Sequence, residues 1–183
     1  MQDLETKYHQ PGAGGAGVAL AEGSVISGYA SVFGVADQGG DIVMPGAYAA
    51  SLERLRKAGG RVRMLWQHDQ AQPIGVWDAV TEDAHGLCVK GRLLTEVAKG
   101  REAAALMAAG AVDGLSIGYR TLKAEKLPGG GRRLIELELW EVSLVTFPML
   151  PVARVSAKEA LRDEGLMAEF ARGIEAAAQA LRG

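Results

Sequence analysis

Two strand-like runs joined by a short glycine-rich segment constrain the fold of this chain more than any other feature. The runs read "VDGLSIGYRTLKAEKL" and "RRLIELELWEVSLVTF", and the segment between them contains Gly129, Gly130 and Gly131. Glycine adopts the backbone angles that a tight reversal needs, so a glycine-rich connection between two strands favours a hairpin. We therefore predict a long antiparallel pair over these residues.

The rest of the chain alternates between strand-like and helix-like patterns. Alternating or β-branched segments predict further strands over Ser24–Gly34, over "RVRMLWQHD", and on both sides of a turn at Asp83–Gly86. Helical spacing predicts one helix from Pro45 to the glycine pair at 59–60 and a second over Glu96–Gly110. Because the strands favour hairpins over crossover units, we predict an α+β, mainly β fold: an antiparallel-rich, barrel-like sheet with helices packed outside.

Composition excludes several classes of function. Hydrophobic residues make up 48% of the 183 residues and charged residues 23%, which is ordinary for a globular protein with a core. A net charge of −2 argues against nucleic-acid binding. The single cysteine, Cys88, allows no disulfide within the chain and no cysteine pair for zinc. The apolar runs are too short to cross a membrane and the N-terminus is too polar for a secretory signal. We expect a soluble intracellular protein without metal or cofactor.

Three regions follow from these patterns. Glycine-rich sequence at Pro11–Gly23 predicts a flexible N-terminal segment over residues 1–23. Residues 24–155 form the predicted folded domain. Residues 156–183 have helical composition, and two interpretations remain open: a helix that docks on the domain, or a mobile or protein-binding tail.

Glu141 is the first candidate for a functional residue. Counting by twos along the second long run places Glu141 on the apolar face with Leu139 and Val145, where Ser143 is the only other polar residue. An inward carboxylate costs several kcal/mol unless it is paired or hydrogen-bonded. The alternative is a bulge near Trp140 that turns Glu141 outward.

His68 and Ser116 are the other candidates. His68 ends a predicted strand, and alternation makes it extend the apolar stripe of Met64 and Trp66. Strand ends commonly carry binding and catalytic groups, although a structural histidine is the alternative. Ser116 lies on a predicted open face between Gly114 and Gly118, which would admit either an extended peptide or a closely packed helix.

Together these three side chains match the needs of nucleophilic catalysis. A serine hydroxyl barely ionises at neutral pH and needs a base within hydrogen-bond reach, and histidine has the proton affinity for that task. A buried carboxylate can hold the histidine's tautomer and stabilise the imidazolium. His68, Ser116 and Glu141 supply one group of each kind.

Four segments, in this order, carry a resemblance to a known family: "GYASVFGVADQGGDIVMPGAYAASL", "MLWQHDQAQPIGVW", "GLSIGYR" and "LWEVSLVTFPMLPVARV". They resemble the prohead serine proteases of tailed bacteriophages, whose fold is similar to that of the herpesvirus assemblin proteases. The resemblance covers roughly residues 24–155 and implies Ser116 as nucleophile, His68 as general base and Glu141 as third member, where herpesvirus relatives use a histidine. "PMLP", Pro148–Pro151, departs from the family, which commonly has Pro-Ala followed by a polar residue.

The resemblance also implies a function and partners. It implies a serine endopeptidase that cleaves the scaffold region of the major capsid protein, and its own chain, inside assembling procapsids in the bacterial cytoplasm. The implied partners are the major capsid protein and other prohead proteins, with a second copy of the chain as a further candidate. Two alternatives stay open: an inactive capsid assembly or scaffolding factor with the same fold, and a β-rich hydrolase unrelated to capsids.

Overall fold

The structure is a computed structural model, and it describes residues 24–155. The predicted flexible segment 1–23 and the predicted helical tail 156–183 lie outside the described residues. The elements, in chain order, are β1 (Val25–Val32), β2 (Ile42–Val43), α1 (Ala49–Lys57), β3 (Arg63–Trp66), β4 (Asp69–Glu82), β5 (Gly86–Leu93), α2 (Ala98–Ala108), β6 (Gly114–Lys126) and β7 (Arg132–Val145).

The strands form one sheet in the order β1-β5-β4-β3-β7-β2, and β6 pairs with β7 along the predicted hairpin. Strand β7 is the junction of this sheet, because it pairs antiparallel with β6 and parallel with the short strands β2 and β3. The other strand pairs are antiparallel, and the sheet curls so that β1 contacts β6. The prediction of a mainly β fold with an antiparallel-rich, barrel-like sheet is confirmed, and the sheet is a curled half-barrel.

At Trp140, the side of strand β7 that faces the core changes. Before that residue Leu139 lies in the core, whereas after it Val142 and Leu144 do. The ladder with β6 shifts by one residue at the same place, so Trp140 is the extra residue of a β-bulge. The predicted alternative is therefore right about the bulge at Trp140 but wrong about its effect, because Glu141 leaves the face of Leu139 without turning out to solvent and stays buried, with 7% of its surface exposed.

Both helices begin later than the sequence predicted. Gly46 has a φ of +86°, a left-handed value that no α-helix can contain, so the helix cannot start at Pro45. Helix α1 begins only at Ala49, after the backbone N–H of Tyr48 donates to Glu82 Oε1 at 2.9 Å. Neither helix within residues 24–155 is long and apolar enough to cross a membrane.

The chain after β7 returns to the sheet as a strap, residues 148–155. The N–H of Leu115 donates to the carbonyl of Ala153 at 2.8 Å, and the N–H of Val155 donates to the carbonyl of Asp113 at 3.0 Å. A side chain at Gly28 would overlap the carbonyl oxygen of Arg154. The strap therefore closes one end of β6, directly beside the predicted nucleophile.

We expect Leu137→Ala to lower the free energy of unfolding by about 2–5 kcal/mol, because it removes a fully buried side chain and leaves a cavity in the core. Leu122→Ala is the matched control, since Leu122 lies in the same hairpin but is 43% exposed, and we expect a change within about 0.5 kcal/mol. Urea unfolding of the two variants measures the difference. Equal losses would contradict the assignment of the core face.

Candidate active site

His68 lies in a tight turn rather than at the end of a strand. Gln67 and His68 form the two-residue connection between β3 and β4, and both have positive φ, 52° and 61°. Two positive values mark the type I′ hairpin turn, which usually contains Asn-Gly. For most residues other than glycine and asparagine, this left-handed conformation costs about 1–2 kcal/mol per residue. The prediction that His68 extends the apolar stripe of β3 is wrong, because the chain reverses at this point.

Contacts with β7 and the residue that follows it hold the turn in this strained conformation. The N–H of Gln67 donates to the carbonyl of Leu144 at 2.9 Å. The side-chain amide of Gln67 donates to Thr146 Oγ1 at 2.7 Å and accepts from the Thr146 N–H at 3.3 Å. Gln67 was not predicted as a functional residue, and no local pattern marks it, since Gln-His is not a typical turn pair.

The turn directs the imidazole of His68 onto the carboxylate of Glu141. The distance from Nδ1 to Oε1 is 2.5 Å, and the two side chains are only 15% and 9% exposed. An ionised carboxylate can only accept hydrogen bonds, so Nδ1 carries the hydrogen in this contact. The neutral ring then keeps its lone pair on Nε2, the nitrogen that faces away from the acid.

The second oxygen of this carboxylate accepts a hydrogen bond from Ser143. Its Oγ donates to Glu141 Oε2 at 2.6 Å and accepts the backbone N–H of His68 at 3.1 Å, in a fully buried position. Both oxygens of Glu141 therefore have a donor, which offsets part of the cost of burying the charge. From the sequence, Ser143 was only the other polar residue on the same strand face as Glu141. Its spacing of two residues from Glu141 was the one signal that the two side chains could meet.

Ser116 lies on the other side of β7 from His68. In the ladder between β6 and β7, Ser116 lies directly opposite Ser143. Partners in a ladder point to the same face of the sheet, so Ser116 shares the face of Glu141 and Ser143. The structure thus brings Ser116 of β6, Glu141 of β7 and His68 of the β3–β4 turn to one face of the sheet.

The face around Ser116 is covered, and the prediction of an open face is wrong. Ser116 is only 6% exposed. A side chain at Gly118 would overlap the carboxylate of Glu141, and one at Gly114 would come within 2.8 Å of the Pro148 ring. The two glycines make room for a carboxylate and for the strap, and not for a helix.

Two other acids near His68 and Glu141 in the sequence, Asp69 and Glu138, have partners of their own. Asp69 follows His68 directly, but its carboxylate accepts from the side chain of Gln72 and from the N–H of Ala71. The Gln72 hydrogen bond is the main reason why the pKa of Asp69 lies below its usual range. Glu138 pairs with Arg120 at 2.8 Å. Within residues 24–155, no group of three or more His, Cys, Asp and Glu side chains could hold a metal ion.

A cavity of about 70 Å³ opens beside Ser116. It lies between β1, β6, the loop that follows β1, and the strap. Its lining combines aliphatic residues such as Val32 and Leu150 with two acidic ones, Asp37 and Asp41. The Gln38 N–H donates to the carbonyl of Met149 at 3.1 Å and joins the loop to the strap at its rim.

Comparisons with known proteins show which family this chain belongs to. The profile described as "Caudovirus prohead serine protease" matches residues 17–167. The prohead protease of Enterobacteria phage HK97 is 33% identical over 140 residues, 75% of this chain and 61% of that protein. A capsid polyprotein of Pseudomonas phage PAJU2 is 30% identical over 110 residues, 56% of this chain and 16% of that protein. The chain therefore spans less than two thirds of the length of either relative.

The fold of this chain is similar to that of a solved phage protease. The bacteriophage T4 capsid assembly protease, gp21, matches with a TM-score of 0.57 at 16% identity, over 74% of this chain and 92% of that one. The varicella-zoster virus protease matches with a TM-score of 0.47 at 16% identity, over 72% and 62% of the two chains. Since the family profile covers most of the residues, the resemblance seen in the motifs is confirmed, and this chain belongs to the caudovirus prohead serine proteases.

Proposed function

We propose that this protein is a serine endopeptidase of prohead maturation, with Ser116 as nucleophile, His68 as general base and Glu141 as the acid that orients the base. The observation that carries the proposal is the short contact between His68 Nδ1 and Glu141 Oε1, made on the same face of the sheet as Ser116. Family membership supports the reaction class.

The chemistry follows from the tautomer. Because Glu141 holds the hydrogen on Nδ1, the lone pair of Nε2 can take the proton of Ser116 while Oγ attacks the peptide carbonyl. Glu141 then stabilises the imidazolium, which gives its proton to the leaving amine. A water molecule, activated by His68 in the same way, hydrolyses the acyl-enzyme and restores Ser116.

The strap is the proposed source of the oxyanion hole. Met149 and Leu150 line the cavity beside Ser116. Within the described residues their backbone N–H groups donate no hydrogen bond, so they are available to the oxyanion that forms during attack. Preorganised donors of this kind are each worth about 10²–10³ in rate. The proposed oxyanion site thus belongs to the segment Pro148–Val152. This segment includes "PMLP", Pro148–Pro151, which departs from the family pattern.

The outer edge of β6 is the proposed binding site for the substrate backbone. Leu115 turns its N–H away from β7 and towards the strap, and alternation turns the peptide groups of Ile117 the same way. An extended peptide could therefore add to this edge next to Ser116, with a side chain in the cavity.

The proposed substrates are the scaffold region of the major capsid protein and the protease's own chain, within the assembling procapsid in the host cytoplasm. Two relatives support the link to capsids: one is described as a capsid polyprotein and the other as a capsid assembly protease. Confinement in a shell would raise the concentration of substrate around the enzyme. The segments 1–23 and 156–183 are the proposed regions of self-cleavage.

Labelling with a serine-reactive phosphonate tests the function directly. Mass spectrometry should locate the adduct on Ser116, and the adduct should be lost in His68→Ala because the base is gone. Absence of an adduct, with binding to the capsid protein intact, would favour the inactive assembly factor. Labelling of Ser116 without processing of a co-expressed capsid protein would favour a hydrolase unrelated to capsids.

Ser116→Ala should fold normally and leave capsid precursors uncut, with a loss of about 10⁴-fold or more in cleavage rate. Ser51→Ala is the matched control, because Ser51 is also buried and hydrogen-bonded to β7 but lies in α1, away from the cavity. Gel analysis of co-expressed capsid protein measures processing. Normal processing by Ser116→Ala would refute the nucleophile assignment.

Glu141→Gln should slow cleavage by about 10²–10⁴-fold, less than the loss of the nucleophile, because His68 and the oxyanion site remain. The amide cannot stabilise the imidazolium as a carboxylate does. Glu138→Gln provides the control on the same strand, since Glu138 pairs with the half-exposed Arg120. Steady-state cleavage of a capsid-derived peptide measures both variants, and a wild-type rate in Glu141→Gln would move the third role elsewhere.

Gly118→Ala should retain the fold and lose at least about tenfold in kcat, since a displacement of about 1 Å in a reacting group costs up to 10²-fold. The new methyl group would overlap the carboxylate of Glu141 and push it from His68. Gly129→Ala is the control, because a side chain there meets nothing within 4 Å. Equal activity of the two alanine variants would contradict the role assigned to the glycine.

A further inference from the structure

Ser143 is a buried hydroxyl to which neither the sequence motifs nor the proposed triad gives a role. It is fully buried, and its Oγ touches two parts of the proposed site at once. It donates to Glu141 Oε2 at 2.6 Å and accepts the backbone N–H of His68 at 3.1 Å. Any buried hydroxyl needs hydrogen-bond partners, and here both partners belong to the proposed catalytic residues.

The directions of these two hydrogen bonds are fixed by their partners. A backbone N–H can only donate, so Ser143 Oγ is the acceptor for His68, and a carboxylate can only accept, so the hydroxyl hydrogen points to Glu141. The hydroxyl therefore locks the carboxylate in one rotation, with Oε1 directed to the imidazole. It also binds the backbone of the residue that carries the imidazole.

The second contact matters because the backbone of His68 is strained. A φ of 61° is a left-handed value that a histidine adopts only when its surroundings hold it. On the other side of the turn, the amide of Gln67 is held by Thr146. Without Ser143 Oγ, the His68 N–H would lose its acceptor in a largely buried place and the turn would be free to relax.

We infer that Ser143 is a positioning residue that holds both the His68 turn and the Glu141 carboxylate in register with Ser116. The inference rests on the proposed function, in which His68 and Glu141 act together. Ser143 does not touch the substrate in this arrangement, because it is fully enclosed. It acts through the base and the acid.

Ser143→Ala should therefore lower kcat by about 10–100-fold, the range expected for a small misplacement of a catalytic group, and change KM by less than about threefold. Peptide cleavage kinetics measure both constants. The matched control is Ser51→Ala, since the Ser51 hydroxyl is buried and accepts the Leu139 N–H of the same strand at 3.0 Å. An equal fall in kcat in both variants would show a general effect of losing a buried serine and would overturn the inference.

A second measurement needs no turnover. The Nδ1 proton of His68, held by Glu141, should give a proton NMR resonance far downfield, which is assigned by its loss in His68→Ala. In Ser143→Ala this resonance should shift upfield or broaden by exchange with water, and in Ser51→Ala it should not change. If the wild-type protein cleaves nothing, the proposed function fails, while the resonance still reports whether Ser143 positions the pair.

A further variant covers the case in which Ser143→Ala does not fold. Ser143→Cys keeps a side chain of similar shape but replaces the hydroxyl with a weak donor and acceptor, so it should show the same changes to a smaller extent. An unchanged resonance together with an unchanged kcat, in whichever of the two variants folds, would overturn the inference. Absence of the downfield resonance from the wild-type protein would overturn it as well.

Discussion

A single extra residue in β7 determines which side chains this sheet presents for chemistry. In a regular strand Glu141 would follow Leu139 into the core, where an ionised carboxylate costs several kcal/mol. The bulge at Trp140 lets Leu139 and Val142 both face the core and leaves Glu141 on the opposite face. Bulges are frequent next to active sites because they re-aim a side chain without disturbing the ladder on either side.

The carboxylate remains buried after this change, so the protein compensates its charge locally. One oxygen accepts from the ring of His68 and the other from Ser143. Gly118 leaves the space in which the carboxylate lies. A charge held by two donors in a largely dry pocket is a stronger electrostatic partner for an imidazolium than the same charge in water. Burial of the Glu141 carboxylate thus lowers the stability of the fold, but it strengthens the interaction with the imidazolium that the proposed reaction needs.

The sequence predicted the components of the proposed site better than their surroundings. The alternation of β7 marked Glu141 as misplaced among apolar residues, and the long hairpin was visible from its glycine-rich turn. The face of Glu141 could not be decided, because a bulge depends on the packing of both strands rather than on local preference. The open face expected for Ser116 is in fact covered by the strap and by the carboxylate, and both contacts are long-range.

The turn at His68 was harder to predict for a related reason. Gln-His has no intrinsic preference for two left-handed residues, so the conformation must be imposed by partners that the local sequence does not contain. Those partners are Leu144, Ser143 and Thr146, more than seventy residues further along the chain. Tertiary hydrogen bonds therefore override local backbone preference at the residue that matters most for the proposed reaction.

This dependence makes β7 the organising strand of the proposed site. It supplies Glu141 and Ser143, pairs on one side with the strand of Ser116, and anchors on the other side the turn of His68. No two of the three proposed catalytic residues are brought together by local sequence, because each pair is joined only through β7. A chain in which β7 had not yet paired would have neither the acid beside the base nor the base and the alcohol on one face of a sheet. Activity at the proposed site should therefore appear only after this sheet has formed.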